Sequence, residues 1–343
     1  MVYLSIDFVE KICYTKIVKR VYKWREYMMK KIACIGSATV DVMVSSVDGM
    51  PPAGTLYAVN STSLHPGGCA VNVAFDLKKM GFSPLAFCKF GTDTFGDILI
   101  SQMQKEGVDA RGIVRTDEAP TTVSVVLLSS TGERTFLYNP GSTARFTADC
   151  MDEALLSQCD TVFVAGAMLL PAFDGAPCAA FMEKMRKMGK FTAMDTAWDP
   201  DGVWLPKIKE VLPHLDLFMP SRAEAEKLTD ESNPHKMADK LFSYGCGSVV
   251  IKLGKHGALV CPTRDKRYLI PALGGVQPVD TTGAGDAFCA GFLAGLSMGW
   301  DYEKSATFAS GVSGCCILQK GASTGIRSME QTIQFMEEHG VTL

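Results

Sequence analysis

Residues 280–288 read DTTGAGDAF and run into AGFLAGLSMGW at 290–300, a stretch of small and apolar residues. The spacing predicts a buried helix over 287–298 that begins just after a tight turn. Gly283, Ala284 and Gly285 let the chain bend there. They leave successive backbone N–H groups unpaired at the positive end of the helix, an arrangement that attracts anions. Asp286 falls in the first turn. A carboxylate at that place stabilises a helix start. It can also act as a base toward a hydroxyl whose new phosphate settles on the same N–H groups. A plain cap needs neither the two glycines nor the leading Asp280-Thr281-Thr282, so the chemical reading is preferred.

Outward from this motif the chain alternates. Downstream, helices are expected over 302–317 and 329–339. Upstream, 258–261 and 267–270 read as a hairpin. Strands at 161–165, 191–194, 217–219 and 248–252 alternate with helices at 179–188, 223–228 and 237–244. Such alternation implies a mostly parallel sheet covered by helices. KIACIGSATV at 31–40 reads as a first strand buried on both faces. Asp41 then lies at or near its carboxyl end, where open α/β sheets bind ligands. His65 to Gly68 is a turn before a helix that stops at Gly81, 85–90 is a strand, and 95–106 is a helix stopped by Gly107. Segments 121–128 and 134–138 flank SSTGE at 129–133 as a hairpin. This hairpin is expected to leave the main sheet and join 42–63 in a small accessory sheet.

A second glycine-led segment, Gly67-Gly68-Cys69-Ala70-Val71-Asn72, lets a ligand approach the backbone closely and puts Asn72 one helical turn past Gly68. Together, in this order and separation, the two motifs resemble the ribokinase-like (PfkB) family of carbohydrate kinases, over roughly residue 31 to the C-terminus. The resemblance implies an α/β fold: a three-layer α/β/α domain with a mostly parallel central sheet and a small β-sheet lid, its segments at about 42–66 and 117–140. It implies transfer of the γ-phosphate of ATP to a hydroxyl of a sugar or sugar-like substrate, with Mg²⁺ and, in some members, K⁺.

Carried over by residue, Asp286 resembles the general base, and Gly283, Ala284 and Gly285 the anion hole. Asp41, Gly67, Gly68 and Asn72 resemble substrate contacts. Thr39 and the hairpin-end residues Tyr138 and Asn139 are added beside them. Ser221-Arg222-Ala223-Glu224 resembles an N-x-x-E element that organises Mg²⁺ through water, with Glu224 matching and Ser221 in place of Asn. Lys252-Leu253-Gly254-Lys255-His256-Gly257 resembles a nucleotide-binding loop, with Lys252 where Thr is common and Gly254 and Gly257 at its bends. Asp280 and Thr282 correspond to positions lining a monovalent-cation site, with Gly321 near it. Asp195 and Asp199, just past a strand, face Mg²⁺ or phosphate or shape a turn. Family members that act on ribose carry Lys and Asn where this chain has Cys69 and Thr39. The acceptor stays open among ketoses, 2-keto-3-deoxy sugar acids, ribose and nucleosides. Alternatives are a nucleoside kinase of the same family and a non-catalytic sugar- or nucleotide-sensing protein on this scaffold.

Composition removes other classes. The 343 residues carry 34 Lys and Arg against 37 Asp and Glu, a net charge of −3, which argues against a nucleic-acid partner. No run approaches the ~18 apolar residues of a membrane span. The spacing G-x-x-x-x-G-K-[ST] is absent, as is G-x-G-x-x-G after the first strand, against a P-loop NTPase and a dinucleotide oxidoreductase. The 12 cysteines form no C-x-x-C pair and no secretory signal precedes them, so reduced thiols in a cytoplasmic protein are expected. His65, His214, His235 and His256 are expected in loops, with no catalytic part. Residues 1–30 form a basic extension: the first 31 residues hold eight Lys or Arg and three Asp or Glu. It reads as a dispensable arm, possible starts at Met28 or Met29 included, in preference to a membrane-surface helix. The small sheet, with edges to hide, suggests a homodimer through the lid.

Overall fold

The computed structural model describes residues 30–130 and 134–343; the basic arm thus lies outside the described residues except for Lys30. The chain enters as β1 (Lys31–Gly36), but the strand expected over 31–40 does not run through. Gly36 takes φ +142°, and a Cβ there would collide with the Ala165 carbonyl, so the chain turns where only glycine fits. After Ser37 and Ala38 it restarts as β2 (Thr39–Ser45) in a different sheet. Asp41 therefore sits in the small sheet and not at the end of the first main-sheet strand, a correction to the sequence reading.

In chain order there follow β3 (Ser61–Gly67), α1 (Cys69–Lys79), β4 (Ser83–Phe87), β5 (Lys89–Gly91), α2 (Thr94–Glu106), β6 (Val114–Thr116), β7 (Val123–Leu128) and β8 (Arg134–Asn139). Next come α3 (Glu153–Ser157), β9 (Thr161–Ala167), α4 (Ala176–Lys187), β10 (Phe191–Thr196), α5 (Leu205–Ile208), β11 (Leu217–Phe218) and α6 (Arg222–Thr229). The chain ends with α7 (Pro234–Ser243), β12 (Val249–Lys252), β13 (Ala258–Cys261), β14 (Tyr268–Ile270), α8 (Ala284–Ser297), α9 (Tyr302–Cys316) and α10 (Met329–Glu338). The strand expected over 85–90 is two, β4 in the main sheet and β5 paired in parallel with β6. His65 and His235 lie in β3 and α7, not in loops.

The main sheet has eight strands in the order β14-β13-β12-β11-β10-β9-β1-β4. It is parallel from β4 to β12, and the expected hairpin supplies the antiparallel edge, β13 and β14. Successive residues of a strand point to opposite faces. Ile32 and Cys34 of β1 accordingly join a core with α1, α2, α8, α9 and α10. Ala33 and Ile35 join a second core with α3, α4, α6 and α7. Burial on both faces explains the continuous apolar runs and gives three layers, α/β/α. No helix among the described residues is long and apolar enough to cross a membrane. The described cysteines are all free thiols.

The small sheet runs β3-β2-β7-β8. Its register sets Asp41 opposite His65 and Ser124, and Ser124 opposite Tyr138, so these four share one face. The other face carries Val42, Val44, Leu64, Val125, Leu127 and Leu137.

Candidate active site

Two helix starts meet beneath the small sheet. Gly283 caps α8 at φ +75°, and a Cβ on it would fall 2.6 Å from Ala322 Cα, inside any allowed contact. Its left-handed turn and the close approach of the 322 backbone both require glycine. Gly68 does the same for α1: it has φ +90°, and a Cβ there would lie 2.5 Å from Ala38 Cα. Ser37 then caps α1, its Oγ accepting from Cys69 N at 3.1 Å and its carbonyl from Ala70 N at 3.2 Å. The two helices are joined through their first turns, where Asn72 Nδ2 donates to Asp286 Oδ2 at 2.8 Å. Above them, the Asp41 carboxylate lies over Gly67, whose missing side chain would meet Asp41 Cγ at 2.8 Å. Asp41, Gly67, Gly68, Asn72 and 283–286 are thus brought together from three regions of the sequence.

Burial, and then the like charge of Asp286, raises the Asp41 carboxyl to about 6. Burial also raises Asp286, while the Asn72 amide, the Lys252 ammonium and the Cys69 thiol oppose the shift. Thr39 lies on Asp41's face two residues earlier, but it is buried and its Oγ1 bonds the Thr122 carbonyl at 3.3 Å. Asn139 is not brought into this group. It shares the face of Val123, opposite to Asp41's, and its Oδ1 accepts from Gly141 N at 3.1 Å. Tyr138 is the member of the hairpin end on Asp41's side.

A second cluster flanks α8. Lys252 Nζ pairs with Asp195 Oδ2 at 2.6 Å and lies 3.6 Å from Cys289 Sγ, which itself bonds Asp195 Oδ2 at 3.4 Å. Burial pushes Asp195 up to about 7. Burial works against the Lys252 charge, but Asp195 outweighs it and the net shift is upward. Next to them, Thr196 Oγ1 donates to Glu224 Oε2 at 3.0 Å, and Ser221 N donates to the same oxygen at 2.7 Å. Ser221 is the N-cap of α6 and closes a capping box with Glu224. Its hydroxyl is thereby committed to the helix, a role that S-x-x-E spacing announces by itself. Gly254 and Gly257 shape the turn after β12, with Leu253 N donating to Gly257 O at 2.7 Å. Asp199 stays apart, buried and paired with Lys207 at 2.6 Å.

A cavity of about 520 Å³ opens between the inner face of the small sheet and the 278–282 and 320–322 loops. Asp41, Met43, Ser63 and His65 line it on one side, and Thr281, Thr282 and Lys320 on the other. His65, opposite Asp41, holds Ser63 Oγ at 2.8 Å through Nε2. No local pattern marks His65, because its place depends on how β2 and β3 pair. Asp280, Thr282 and Gly321 do meet: Asp280 Oδ1 accepts from Thr282 N at 2.9 Å and Oγ1 at 2.7 Å, and Oδ2 from Gly321 N at 3.0 Å.

One turn past Asn72, Asp76 is fully buried. Among the described residues, neither of its carboxylate oxygens, nor Asn72 Oδ1, has a hydrogen-bond partner. Burial pushes Asp76 well above the usual carboxylate range. A carboxyl raised in the folded state costs stability as pH climbs above its unfolded value of about 4. Asp76→Asn removes that loss at nearly the same shape. The expected gain is about 1–3 kcal/mol at pH 8, shrinking toward pH 4. Thermal midpoints measured across this range check it; a gap that does not change with pH contradicts a titrating Asp76.

The family model described as pfkB family carbohydrate kinase matches residues 29–329. A 2-dehydro-3-deoxygluconokinase of Bacillus subtilis is 28% identical over 296 residues, covering 82% of this chain and 90% of the relative. A ribokinase of Staphylococcus aureus is 26% identical over 313 residues, covering 90% and 100%. The solved structure of Arabidopsis thaliana ribokinase complexed with ribose and ATP superposes with a TM-score of 0.80 at 21% identity, covering 90% of this chain and 99% of that one. At that identity the superposition speaks for the fold. The matched span contains both glycine-led helix starts and every strand of both sheets, and the chain belongs to the pfkB family of carbohydrate kinases, phosphotransferases with an alcohol group as acceptor.

Proposed function

We propose that this chain transfers the γ-phosphate of ATP to a hydroxyl of a sugar or sugar-like substrate. Asp286 is the base and the N–H groups of 283–285 are the anion hole. The observation that carries this reading is the meeting of Asp286, Asn72 and Asp41 at the start of α8. Asp41, with the backbone at Gly67 and Gly68, holds acceptor hydroxyls, and Asn72 fixes the rotamer of Asp286. The reacting hydroxyl gives its proton to Asp286 as its oxygen bonds to phosphorus. The transferring group brings negative charge to the amides of this turn, of which Ala284 N meets the Thr281 carbonyl at 3.3 Å. The single domain of 31–343 keeps segments 42–66 and 117–140 as a lid that shields this step from water.

Mg²⁺, bound with ATP, supplies charge neutralisation at the phosphates. Among the described residues no group of three His, Cys, Asp or Glu side chains is placed to hold a metal ion. The fit is therefore indirect: both bonds to Glu224 fall on Oε2, so Oε1 can take a water of the ion. Gly254 and Gly257 give the nucleotide close access to the backbone. Asp280 and Thr282 would seat K⁺ beside the anion hole. The apolar outer face of the small sheet, with Leu64 49% and Leu137 48% exposed, suits a second copy of the chain. A monomer mass in sedimentation at micromolar concentration contradicts that homodimer.

ADP release with Mg-ATP and K⁺ across ribose, fructose, 2-dehydro-3-deoxygluconate and nucleosides tests the reading. It predicts one strong responder; a folded protein that binds ATP yet answers to no acceptor contradicts it. The pH dependence follows from the raised carboxyls. With Asp41 near 6, kcat/KM for the acceptor falls as pH drops below about 6 and Asp41 takes up a proton. Asp41→Asn weakens acceptor binding and moves this limb to lower pH, because the carboxyl coupled to Asp286 and raised to about 6 is gone. An unmoved limb in that variant contradicts the coupling.

A further inference from the structure

We infer that Lys252 is a catalytic residue of the transfer proposed above, its ammonium contacting the phosphoryl group as it leaves ATP, and that Asp195 is the residue that positions it. The inference rests on the kinase reading and adds a residue to it. Lys252 ends β12, its backbone N held by the Pro220 carbonyl at 2.9 Å. Its side chain is 11% exposed and runs to Asp195, 4% exposed, at 2.6 Å. An ammonium has three donors. One meets Asp195 and one the soft thiol of Cys289. The third is left for an anion, and the geometry says where.

Among the described residues, and setting aside the adjacent Ala284 and Asp286 and the backbone of α8, Nζ is the one atom within 4 Å of the place a Cβ on Gly285 would occupy, at 3.5 Å. The ammonium therefore rests beside the first turn of α8, at the residue that precedes Asp286. Glycine weakens a helix, so at 285 it keeps the space in front of Nζ open at a cost to α8. Thr196 and Glu224 brace Asp195 from behind, through Thr196 N to Asp195 Oδ1 at 2.8 Å. A buried ion pair is weak evidence of stabilisation. A cation fixed beside an anion hole instead offsets charge that develops during reaction. In the step, the acceptor oxygen bonds to the γ-phosphorus and the bond from that phosphorus to the bridging oxygen breaks. The electron pair leaves with ADP and the hydroxyl proton goes to Asp286. Lys252 keeps its protons throughout.

The test compares wild type, Lys252→Met, Lys252→Gln, Lys252→Arg and Asp195→Asn. It reads kcat and KM with the acceptor found by ADP release, Mg-ATP affinity by calorimetry, and the thermal midpoint. Lys252→Met and Lys252→Gln should each lower kcat by ~10²-fold, with Mg-ATP affinity held within about threefold. Lys252→Arg should recover about tenfold of that, and Asp195→Asn should lower kcat by about tenfold without changing Mg-ATP affinity. If Lys252→Met does not fold, Lys252→Gln carries the comparison. Wild-type kcat in the neutral variants overturns the inference and leaves the kinase reading standing. Loss of kcat in step with Mg-ATP affinity and thermal midpoint shows a structural role and overturns it too. A wild type that phosphorylates no acceptor overturns the kinase reading, and the inference with it.

Discussion

Asp286→Asn lowers kcat by ~10²-fold or more, the size expected for loss of a general base, and leaves Mg-ATP binding little changed. The substitution is nearly isosteric. The amide oxygen it introduces can still accept from Asn72 Nδ2, the contact that Asp286 Oδ2 makes at 2.8 Å, so α1 and α8 stay joined. What is lost is the lone pair that takes the hydroxyl proton. The fold should tolerate the change, because the carboxylate is raised by burial and its charge repels that of Asp41. With the charge gone, Asp41 loses the smaller of its two upward pushes and stays raised by burial. The readouts are kcat, Mg-ATP affinity and thermal midpoint on the same preparation. Near-normal turnover excludes Asp286 as the base, and a collapse of the thermal midpoint assigns the loss to folding.

Gly283→Ala has the second largest expected effect, and it acts through geometry alone. The residue needs φ +75°, and the added Cβ would stand 2.6 Å from Ala322 Cα. A non-glycine residue in that region costs of order 1–3 kcal/mol, and the clash with backbone cannot be relieved by rotating a side chain. Either the first turn of α8 tilts or the 321–323 loop retreats, taking with it the Gly321 N–H that holds Asp280. Misaimed amides at an anion hole cost ~10²–10³-fold in kcat. Gly285→Ala is the control. It lies inside the helix at a φ that alanine accepts, and its Cβ would make only ordinary contact at 3.5 Å from Lys252 Nζ. It should not lower the thermal midpoint, since alanine favours a helix. Because its methyl fills the space in front of Nζ, a loss of kcat here reports on Lys252 and not on backbone strain. A Gly283→Ala enzyme with wild-type kcat refutes an anion hole at this turn.

The parts of the site legible in the sequence were those written in a few consecutive residues. D-T-T-G-A-G-D shows its turn, its helix start and its acid together, and G-G-x-x-x-N shows its helix start and the side chain one turn on. Hydrophobic runs likewise gave the alternation of strands and helices, because burial on both faces leaves a continuous apolar signature. Asp41 is named from the sequence but misplaced in the fold. KIACIGSATV looks like one strand, and only contact with Ala165 forces the break at Gly36. The Lys252–Asp195–Cys289 cluster was not legible as a cluster. Asp195 lies 57 residues from Lys252 and 94 from Cys289, and the three meet because the ends of β10 and β12, with β11 between them, both face α8. His65 and Tyr138 reach Asp41's face through cross-strand register, which no single strand encodes. Ser221 shows the opposite case, since a capping box was readable there and the resemblance to a nucleotide element hid it.

The central claim is that a phosphoryl group moves from ATP to an acceptor hydroxyl under the control of Asp286. Mass spectrometry of the acceptor after incubation with γ-labelled Mg-ATP tests it most directly. The account predicts label covalently bound to one hydroxyl of the responding acceptor with wild type, and almost none with Asp286→Asn. Label found only in inorganic phosphate, or left on ATP with every acceptor, would contradict it.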